Sequence, residues 1–260
     1  MTLCPNGDLW LLNDSRNPPE LFRFDPINGN LLETRRLPLN NRDWEDLTHD
    51  PQGRLYIGDF GNNRNGRRNL RIYRYDPVSS KIDSLLFRYP DQQVFPPAAE
   101  KDWNFNCEAM VWYRDSLHIF SKNSFKGNFI CKQYVLPARL FDQADQSNET
   151  VAELRDSIVI SDRVVTGAAM SPDGQTLIFT SYIVRKKWGF IPHTKADLIS
   201  FSNFRGSNFF TGKKQRKKLP KCMIARQFES VTYWKGSAWL VANERRAHQK
   251  PAVWKVKHRP

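Results

Sequence analysis

A four-residue segment followed by a turn and a short apolar strand occurs four times in this chain of 260 residues. The copies are Trp44-Glu45-Asp46-Leu47, Cys107-Glu108-Ala109-Met110, Val165-Thr166-Gly167-Ala168 and Phe228-Glu229-Ser230-Val231. By their position numbers, the second residues of successive copies are 63, 58 and 63 residues apart. A repeat with this period indicates an architecture of similar units, each of which buries its apolar face against the next. We call Glu45, Glu108, Thr166 and Glu229 the anchors of the repeat.

Each copy has the sequence pattern of a small antiparallel sheet. Turns such as Asp50-Pro51-Gln52-Gly53 and Ser171-Pro172-Asp173-Gly174 separate two short apolar strands, and an alternating third strand such as 70–75 follows in most copies. Strand, hairpin, strand, turn and strand make one blade of a β-propeller. The sequence therefore predicts an all-β propeller, most simply with five blades and with six as the second choice. The predicted single domain is 1–260, with blades at roughly 1–40, 41–100, 101–160, 161–222 and 223–260.

The sequences at the two ends of the chain predict a seam, which is the place where the last blade meets the first and closes the ring. Asn6-Gly7-Asp8-Leu9 resembles the turn and second strand of the repeat, and alignment of Leu9 with Leu55 sets Met1 opposite Leu47. Counterparts of Glu45 and Asp46 would then lie upstream of Met1, and the last copy is also short. We expect an N-terminal extension of the native chain and an incomplete blade where the two ends meet.

Composition fits one large β domain. The chain has 17 Phe, 8 Trp and 8 Tyr, which is enough aromatic volume to fill contacts between blades. No stretch approaches the roughly 20 apolar residues of a membrane span, and no signal peptide is recognisable at the start of the sequence. We expect a protein without a transmembrane segment, and a monomer.

The net charge of +13 and the pI near 9.7 make salt-sensitive binding to polyanions conceivable. The basic run at 213–221 contains no aromatic residues that could stack on bases. It is predicted to be a solvated outer strand or loop, and no specific nucleic-acid partner is expected.

Several enzyme classes lack their motifs here. The five His residues have no metal-ligand spacing, and there is no Cys-x-x-Cys, nucleophile elbow, P-loop or dinucleotide-binding turn. The four Cys residues, Cys4, Cys107, Cys131 and Cys222, are widely separated, so buried free thiols are predicted rather than disulfides.

Propeller geometry predicts where a site would lie. The start of an inner strand and the end of the second strand of the same blade are neighbours at one end of the channel, so polar residues at these positions should converge. The predicted site residues are Asp14, Glu45, Asp46, Asp59, Asn62, Glu108, Lys122, Asn123, Thr166, Glu229 and Asn243. Thr166 and Lys122 depart from the repeat and would make the site asymmetric. The insertion at 184–210, which begins at the same end, is predicted to be a loop and a second ligand-contacting element.

Such a ring of carboxylates and amides has several possible uses. It could bind Ca²⁺ or another divalent cation, with Glu45, Glu108 and Glu229 as the expected ligands. Two carboxyls could serve as acid and base in hydrolysis, because crowding separates their pKa values. The groups could also recognise a neutral sugar or peptide. The structural alternative is that each inner-strand Glu caps backbone N–H groups of the next blade and that 59–63 is only a tight turn.

The motifs also resemble those of a known protein family. They are Asp43-Trp44-Glu45-Asp46-Leu47, Gly58-Asp59-Phe60-Gly61-Asn62-Asn63, Cys107-Glu108-Ala109-Met110, Ser121-Lys122-Asn123, Thr166-Gly167-Ala168, Phe209-Phe210-Thr211-Gly212 and Gln227-Phe228-Glu229-Ser230-Val231. Over nearly the whole chain they are similar to an uncharacterised bacterial β-propeller family whose members are mostly exported or lipid-anchored. Members usually have a signal sequence and a Ser-Gly-Leu opening, which this chain lacks, and Gly where it has Ser230.

The resemblance implies a propeller fold and an exported, periplasmic or envelope location, but no reaction. Together with the predicted ring it favours a binding or scaffold protein that presents its channel to a small ligand, a glycan or an envelope partner. The alternative is a divalent-metal-assisted hydrolase similar to esterase, lactonase or phytase propellers, a likeness of fold only.

Overall fold

Five antiparallel sheets follow one another along the chain in the computed structural model, and the five-bladed β-propeller predicted from the repeat is confirmed. The structure describes residues 1–122, 128–143, 149–187, 191–219, 227–244 and 250–258. Each of the first four blades has four strands in chain order from the inside outwards, and a later short strand adds a fifth to the outer edge of the second sheet. The fifth blade has three within the described residues, which agrees with the expected incomplete blade at the seam.

The first two blades are built from the N-terminal third of the chain. Blade one contains β1 (Thr2–Leu3), β2 (Leu9–Leu12), β3 (Glu20–Phe24) and β4 (Leu31–Arg36). Blade two contains β5 (Trp44–His49), β6 (Leu55–Asp59), β7 (Leu70–Tyr75) and β8 (Ile82–Arg88).

The remaining blades are built in the same way. Blade three contains β9 (Asn106–Tyr113), β10 (Ser116–Lys122), β11 (Ile130–Pro137) and β13 (Glu153–Val159), while β12 (Thr150–Val151) pairs in parallel with β8 of blade two. Blade four contains β14 (Val164–Met170), β15 (Thr176–Lys187), β16 (Ile191–Ser202) and β17 (Lys213–Lys218). Blade five contains β18 (Phe228–Lys235), β19 (Ala238–Asn243) and β20 (Ala252–Lys257). Three short 3₁₀ helices, Glu100–Asp102, Ala138–Asp142 and Phe209–Thr211, complete the described elements.

The inner strands β1, β5, β9, β14 and β18 contact one another around a central channel, and the ring closes where β1 lies between β18 and β5. They run in the same direction, since side chains at Asp46 and Thr48 bond the backbone N–H groups of Met110 and Trp112 on the next blade. We call the channel end at the first residues of these strands the mouth, and the end with the hairpins the hairpin end.

The hairpin turns follow the chemistry that the sequence predicts. Gly53 and Gly174 have φ angles of +83° and +67° and donate to the carbonyls of Asp50 and Ser171 at 3.0 and 2.8 Å. Glycine adopts such angles without strain, so the same four-residue pattern gives the same turn in blades two and four.

A separate hydrophobic cluster fills each interface between blades. Large side chains such as Tyr56, Phe87 and Tyr134 are fully buried between blades two and three. Among the described residues, the cluster at the seam between blades five and one is smallest, with Met1, Leu9 and Leu240 as its buried members. Burial of apolar surface between neighbouring sheets therefore holds the ring, and it is thinnest where the chain closes it.

Two segments that depart from the repeat form regular structure. The part Lys213–Lys218 of the basic run forms the outer strand β17, which is one of the two predicted alternatives. Lysines at a sheet edge discourage pairing with other sheets. The insertion at 184–210 was expected as a loop, and this is wrong for most of it. Strands β15 and β16 pair along their whole length, from Thr176 opposite Ser202 to Lys187 opposite Ile191, and form a long hairpin.

Cys4, Cys107 and Cys131 are buried and free, as predicted, and Cys222 lies outside the described residues. Within the described residues, no helix has the length and apolar character needed to cross a membrane.

Candidate functional site: the carboxyl-lined mouth

Each anchor lies at a β-bulge. In the pairing of β5 with β6, Trp44 is opposite Asp59 and Asp46 is opposite Gly58, which leaves Glu45 without a partner. The same shift omits Glu108, Thr166 and Glu229 from the ladders of their blades. A bulge bends the strand and re-aims the side chain of its extra residue. The repeat in the sequence is therefore a repeated bulge at the mouth.

The position two residues before each Glu anchor is also polar. It is Asp43 in blade two, Asn106 in blade three and Gln227 in blade five. Asn106 Nδ2 donates to Glu108 Oε1 at 2.8 Å, and Gln227 Nε2 donates to Glu229 Oε1 at 2.9 Å. Residues two apart in an extended segment share a face, so blades two, three and five each supply a pair rather than a single group.

Lys122 joins blades three and four. Its ammonium is bonded to Glu108 Oε2 and lies 5.8 Å from the ring centroid of Tyr182, a residue of β15. Tyr182 in turn donates its hydroxyl to Glu229 Oε1 at 3.2 Å. Because blade four has Thr166 at the anchor position, Tyr182 occupies the place in the network that a carboxylate has in other blades.

Burial acts to lower the pKa of the Lys122 ammonium, but Glu108, Tyr182, Glu229 and Glu45 together hold it well above its ordinary value. Burial raises the pKa of Glu108 to about 7, and the nearby Glu229 adds to this despite the ion pair with Lys122. The pKa values of Lys122 and Glu108 can both be raised because several carboxyls share one ammonium, which cannot offset the burial and repulsion of all of them.

Glu244, which follows β19, brings a further carboxyl to the same end of blade five. Burial raises the pKa of Glu244 to about 9, with additional contributions from the charge of Glu229 and from a hydrogen bond to that residue. Two carboxyls in contact cannot both ionise readily, so this pair holds a proton at neutral pH.

A second group of carboxyls lies between blades one and two. Single oxygen atoms of Asp14, Asp43 and Glu45 lie within 4.8 Å of one another, and all three residues are half-buried. Burial, followed by repulsion from Glu108, raises the pKa of Glu45 well above its ordinary value, and burial also raises the pKa of Asp43. Gly61 leaves space for this group, because a Cβ atom there would collide with Glu45 Oε1 and the Asp43 carboxyl.

These carboxyls form one electrostatic unit. Repulsion couples Glu45 to Glu108, Glu108 to Glu229, and Glu244 to both Glu229 and Asp14. We call the unit the carboxyl ring, and its members are Asp14, Asp43, Glu45, Glu108, Glu229 and Glu244. Within the described residues, Lys122 is the lysine bonded to the ring, and it is already paired with Glu108.

Two of the predicted site residues connect blades. Asp46 is 1% exposed and accepts from the N–H groups of Leu47 and Met110, both at 2.8 Å. Burial raises the pKa of Asp46 to about 6. Thr166 donates its hydroxyl to the Phe228 carbonyl of blade five at 2.7 Å. Asp46 therefore caps a backbone N–H of the next blade, as the structural alternative describes for the Glu anchors, whereas Thr166 bonds a carbonyl of the next blade.

Three others stabilise loops at the mouth. Asp59 is buried and paired with Arg67 at 2.9 Å. Asn62 donates to the Phe105 carbonyl and accepts from the Arg67 N–H, which connects the loop after β6 to blade three. Asn243 accepts from the indole of Trp254 at 3.0 Å. Asn123 lies outside the described residues.

Of the three predicted metal ligands, only Glu45 belongs to the close group of carboxyls, whereas Glu108 is bonded to Lys122 and Glu229 to Tyr182 and Gln227. The prediction did not include Asp43, Asn106, Gln227 or Tyr182. A signal for the first three exists, because each stands two residues before a Glu anchor on the same strand face.

No protein-family model matches the chain. A Kelch domain-containing protein of Pyrococcus furiosus is 27% identical over 148 residues, which are 50% of this chain and 41% of that protein. The aligned region thus spans less than half the length of this relative. A solved structure of an alpha-L-arabinanase from Penicillium chrysogenum, complexed with arabinobiose, superposes with a TM-score of 0.48 at 10% identity, over 92% of this chain and 75% of that one. The chain is similar to both proteins, and its propeller fold is given by its own five sheets.

Proposed function

We propose that this protein is a binding propeller that holds a divalent cation at its mouth and, beside that cation, a small ligand or glycan. The observation that carries the proposal is the imbalance of charge in the carboxyl ring, in which six carboxyls lie together and Lys122, the lysine bonded to the ring among the described residues, is paired with Glu108 alone. Ca²⁺ takes six to eight oxygen ligands, and carboxylates are prominent among them.

The raised pKa values of Glu45, Glu108 and Glu244 support this proposal. A carboxyl whose pKa is raised by burial and by neighbouring carboxyls is in an environment that penalises its negative charge, and a bound cation would reduce that penalty. Cation binding would then release protons, so the affinity should increase as the pH rises from 6 to 9.

The group formed by Asp14, Asp43 and Glu45 is the best candidate for the cation itself, because three oxygen atoms lie within 4.8 Å of one another. Three carboxylates leave coordination positions for the oxygen atoms of a ligand. Glu108, Lys122 and Glu229 on the other side of the mouth would then hydrogen-bond that ligand, which suits a polyhydroxy compound.

The test is calorimetric titration with Ca²⁺, Mg²⁺ and Zn²⁺ at pH 6 and pH 8, together with thermal unfolding in each ion and in EDTA. We expect one of these ions to bind more tightly at pH 8, with proton release. Glu45→Gln should raise its Kd at least about tenfold, since it removes one charged ligand.

Glu153→Gln is the matched control, because Glu153 is an exposed carboxylate on β13 whose partner is Arg155. It should leave the Kd unchanged. The proposal is wrong if no ion changes either the heat signal or the unfolding temperature at pH 8, or if the two variants bind equally well.

A second candidate function, a metal-assisted hydrolase, is favoured by one specific observation. Glu108, with a pKa of about 7, and Glu244, with a pKa of about 9, lie in one coupled network. Acid–base hydrolysis requires a carboxyl that stays protonated near neutral pH beside one that can ionise.

For this candidate the assay is hydrolysis of p-nitrophenyl acetate, a γ-lactone and phytate in the presence of the ion that binds. An enzyme would lose at least about a hundredfold in kcat in Glu108→Gln. Turnover no faster than that of the Glu108→Gln variant with all three substrates would exclude these reaction classes and leave the binding proposal intact.

A further inference from the structure

A cavity of about 700 Å³ opens at the hairpin end of the channel. Its wall contains residues from all five blades. They are Met1–Cys4, Leu47–Pro51, Trp112–Arg114, Ala168–Gly174 and Val231–Trp234. Pockets that bind small molecules have volumes of about 300–1,000 Å³ and are mostly apolar. The cavity is thus large enough for such a molecule and is built by the same inner strands that carry the anchors at their other ends.

Aromatic and apolar side chains dominate this wall. Trp112 and Tyr113 come from β9, Tyr233 and Trp234 from β18, and Met170 from β14. Aromatic rings on two blades can stack on a flat molecule between them. Methionine adapts to irregular shapes, so it complements rigid rings at a binding surface.

The ionisable groups of the wall are mostly neutral or already paired. Asp173 accepts from the Ser171 hydroxyl, and the Met1 ammonium lies 3.9 Å from Asp46 Oδ1. Burial lowers the pKa of His49 to about 4, so this imidazole is neutral at pH 7, and its Nδ1 is hydrogen-bonded to Thr2 Oγ1 at 2.7 Å. Asp50 accepts from Arg54 Nε at 2.6 Å and from the Tyr56 hydroxyl at 3.1 Å. The Arg114 guanidinium lies 5.2 Å from the centroid of the Tyr113 ring and is exposed. The interior of the cavity therefore offers little to a charged ligand.

One polar group of the wall is unsatisfied. The indole Nε1 of Trp234 is buried and has no acceptor among the described residues. A buried donor without an acceptor is unfavourable, and an oxygen atom of a ligand could satisfy it.

We propose that the hairpin end is a second binding site, separate from the mouth, for a flat, uncharged and largely apolar small molecule that carries at least one acceptor oxygen. The aromatic residues Trp112 and Tyr233 pack against the faces of this molecule. Trp234 donates its Nε1–H to the oxygen.

Nile red tests this site, because it is flat and uncharged, has a carbonyl oxygen, and changes its fluorescence in apolar surroundings. We expect saturable binding with one dye per chain. Trp112→Ala should raise the Kd about tenfold by removing a stacking surface. Trp234→Phe keeps the ring but removes the donor, and should raise the Kd about threefold to tenfold.

Trp254→Phe is the matched control, because Trp254 is 39% exposed on β20 and does not line the cavity. It should bind the dye like the wild type, as should Glu45→Gln, so failure of this site and failure of the cation site are distinguishable. If Trp112→Ala does not fold, Trp234→Phe decides. Binding without saturation, or an equal Kd in Trp234→Phe and Trp254→Phe, would overturn the proposal.

Discussion

The two ends of the central channel are built from the same inner strands but are stabilised by different chemistry. At the mouth, the carboxyl ring surrounds Lys122, and several of its members have raised pKa values. At the hairpin end, neutral groups connect the blades. Thr48 accepts from the Trp112 N–H at 3.2 Å, and Thr232 accepts from the Leu3 N–H at 3.0 Å. The blades are therefore connected by neutral groups at the hairpin end, whereas the mouth carries unbalanced charge.

The two ends should respond to pH in opposite directions. Glu108 has a pKa of about 7 in the folded protein against an ordinary 4.5, so between these values the folded chain keeps a proton that the unfolded chain has lost. Its contribution to stability is present below pH 4.5 and disappears as the pH rises through 7. His49 has a pKa of about 4 against an ordinary 6.5, so it reduces stability as the pH falls from 6.5 towards 4.

The largest effect is expected for Lys122→Met. This change leaves Glu108 buried without its ammonium partner, so the free energy of unfolding should decrease by about 3–5 kcal/mol at pH 8. At pH 5 the decrease should be smaller, because Glu108 is then mostly protonated. Urea unfolding monitored by tryptophan fluorescence at both pH values measures this.

Lys132→Met is a matched control for this change. Lys132 pairs with Asp91 at 2.6 Å, and its side chain is 17% exposed, against 16% for Lys122. Its removal should have a smaller effect with little change between pH 5 and pH 8. Equal losses in the two variants would show that the mouth is not distinguished by its shared charge.

An intermediate effect is expected for Glu244→Gln. Wild-type stability should decline between pH 5 and pH 9 as Glu244 loses a proton beside Glu229, Glu108 and Asp14. The variant cannot lose that proton, so about 1–3 kcal/mol of the decline should disappear. Unfolding curves at several pH values provide the comparison, with Glu153→Gln as the control. A variant that retains the full wild-type decline would contradict the proposed proton-sharing pair.

The smallest effect is expected at the hairpin end. Thr232→Val removes the acceptor for the Leu3 N–H and should cost about 1 kcal/mol, because one neutral hydrogen bond is lost. Between pH 7 and pH 9 this cost should be constant, in contrast to that of Lys122→Met. Thr34→Val on the outer strand β4 controls for the change of side chain. A loss of stability in Thr232→Val that grows with pH would contradict the proposed difference between the two ends.

The sequence predicts the propeller well, because the turns and apolar runs that define a blade recur with each repeat. It also places the anchors at the starts of inner strands, where the structure has them. The roles of the anchors are harder to predict. Thr166 bonds a carbonyl of the next blade, whereas Glu229 bonds Tyr182 on an extended hairpin. These contacts depend on how neighbouring blades pack, which the repeat does not encode.

The aromatic cavity is also hard to predict from the sequence. Trp112, Tyr113, Tyr233 and Trp234 occupy ordinary strand positions whose pattern predicts only packing. Their convergence at the hairpin end requires that the inner strands be parallel around one axis. The mouth could be inferred because its residues are charged, whereas a site made of core-like residues looks like core in the sequence.

The β-bulges have a consequence for how such a protein can change over evolution. At Glu45, Glu108 and Glu229 the ladder hydrogen bonds bypass the residue, so the sheet places few demands on its side chain. Substitutions at these three positions therefore leave the ladder hydrogen bonds intact, and their cost lies in side-chain contacts such as the ion pair of Glu108 with Lys122. A propeller of this kind can acquire a new specificity at its mouth through a few exchanges, in the way that antibody loops vary on a constant framework.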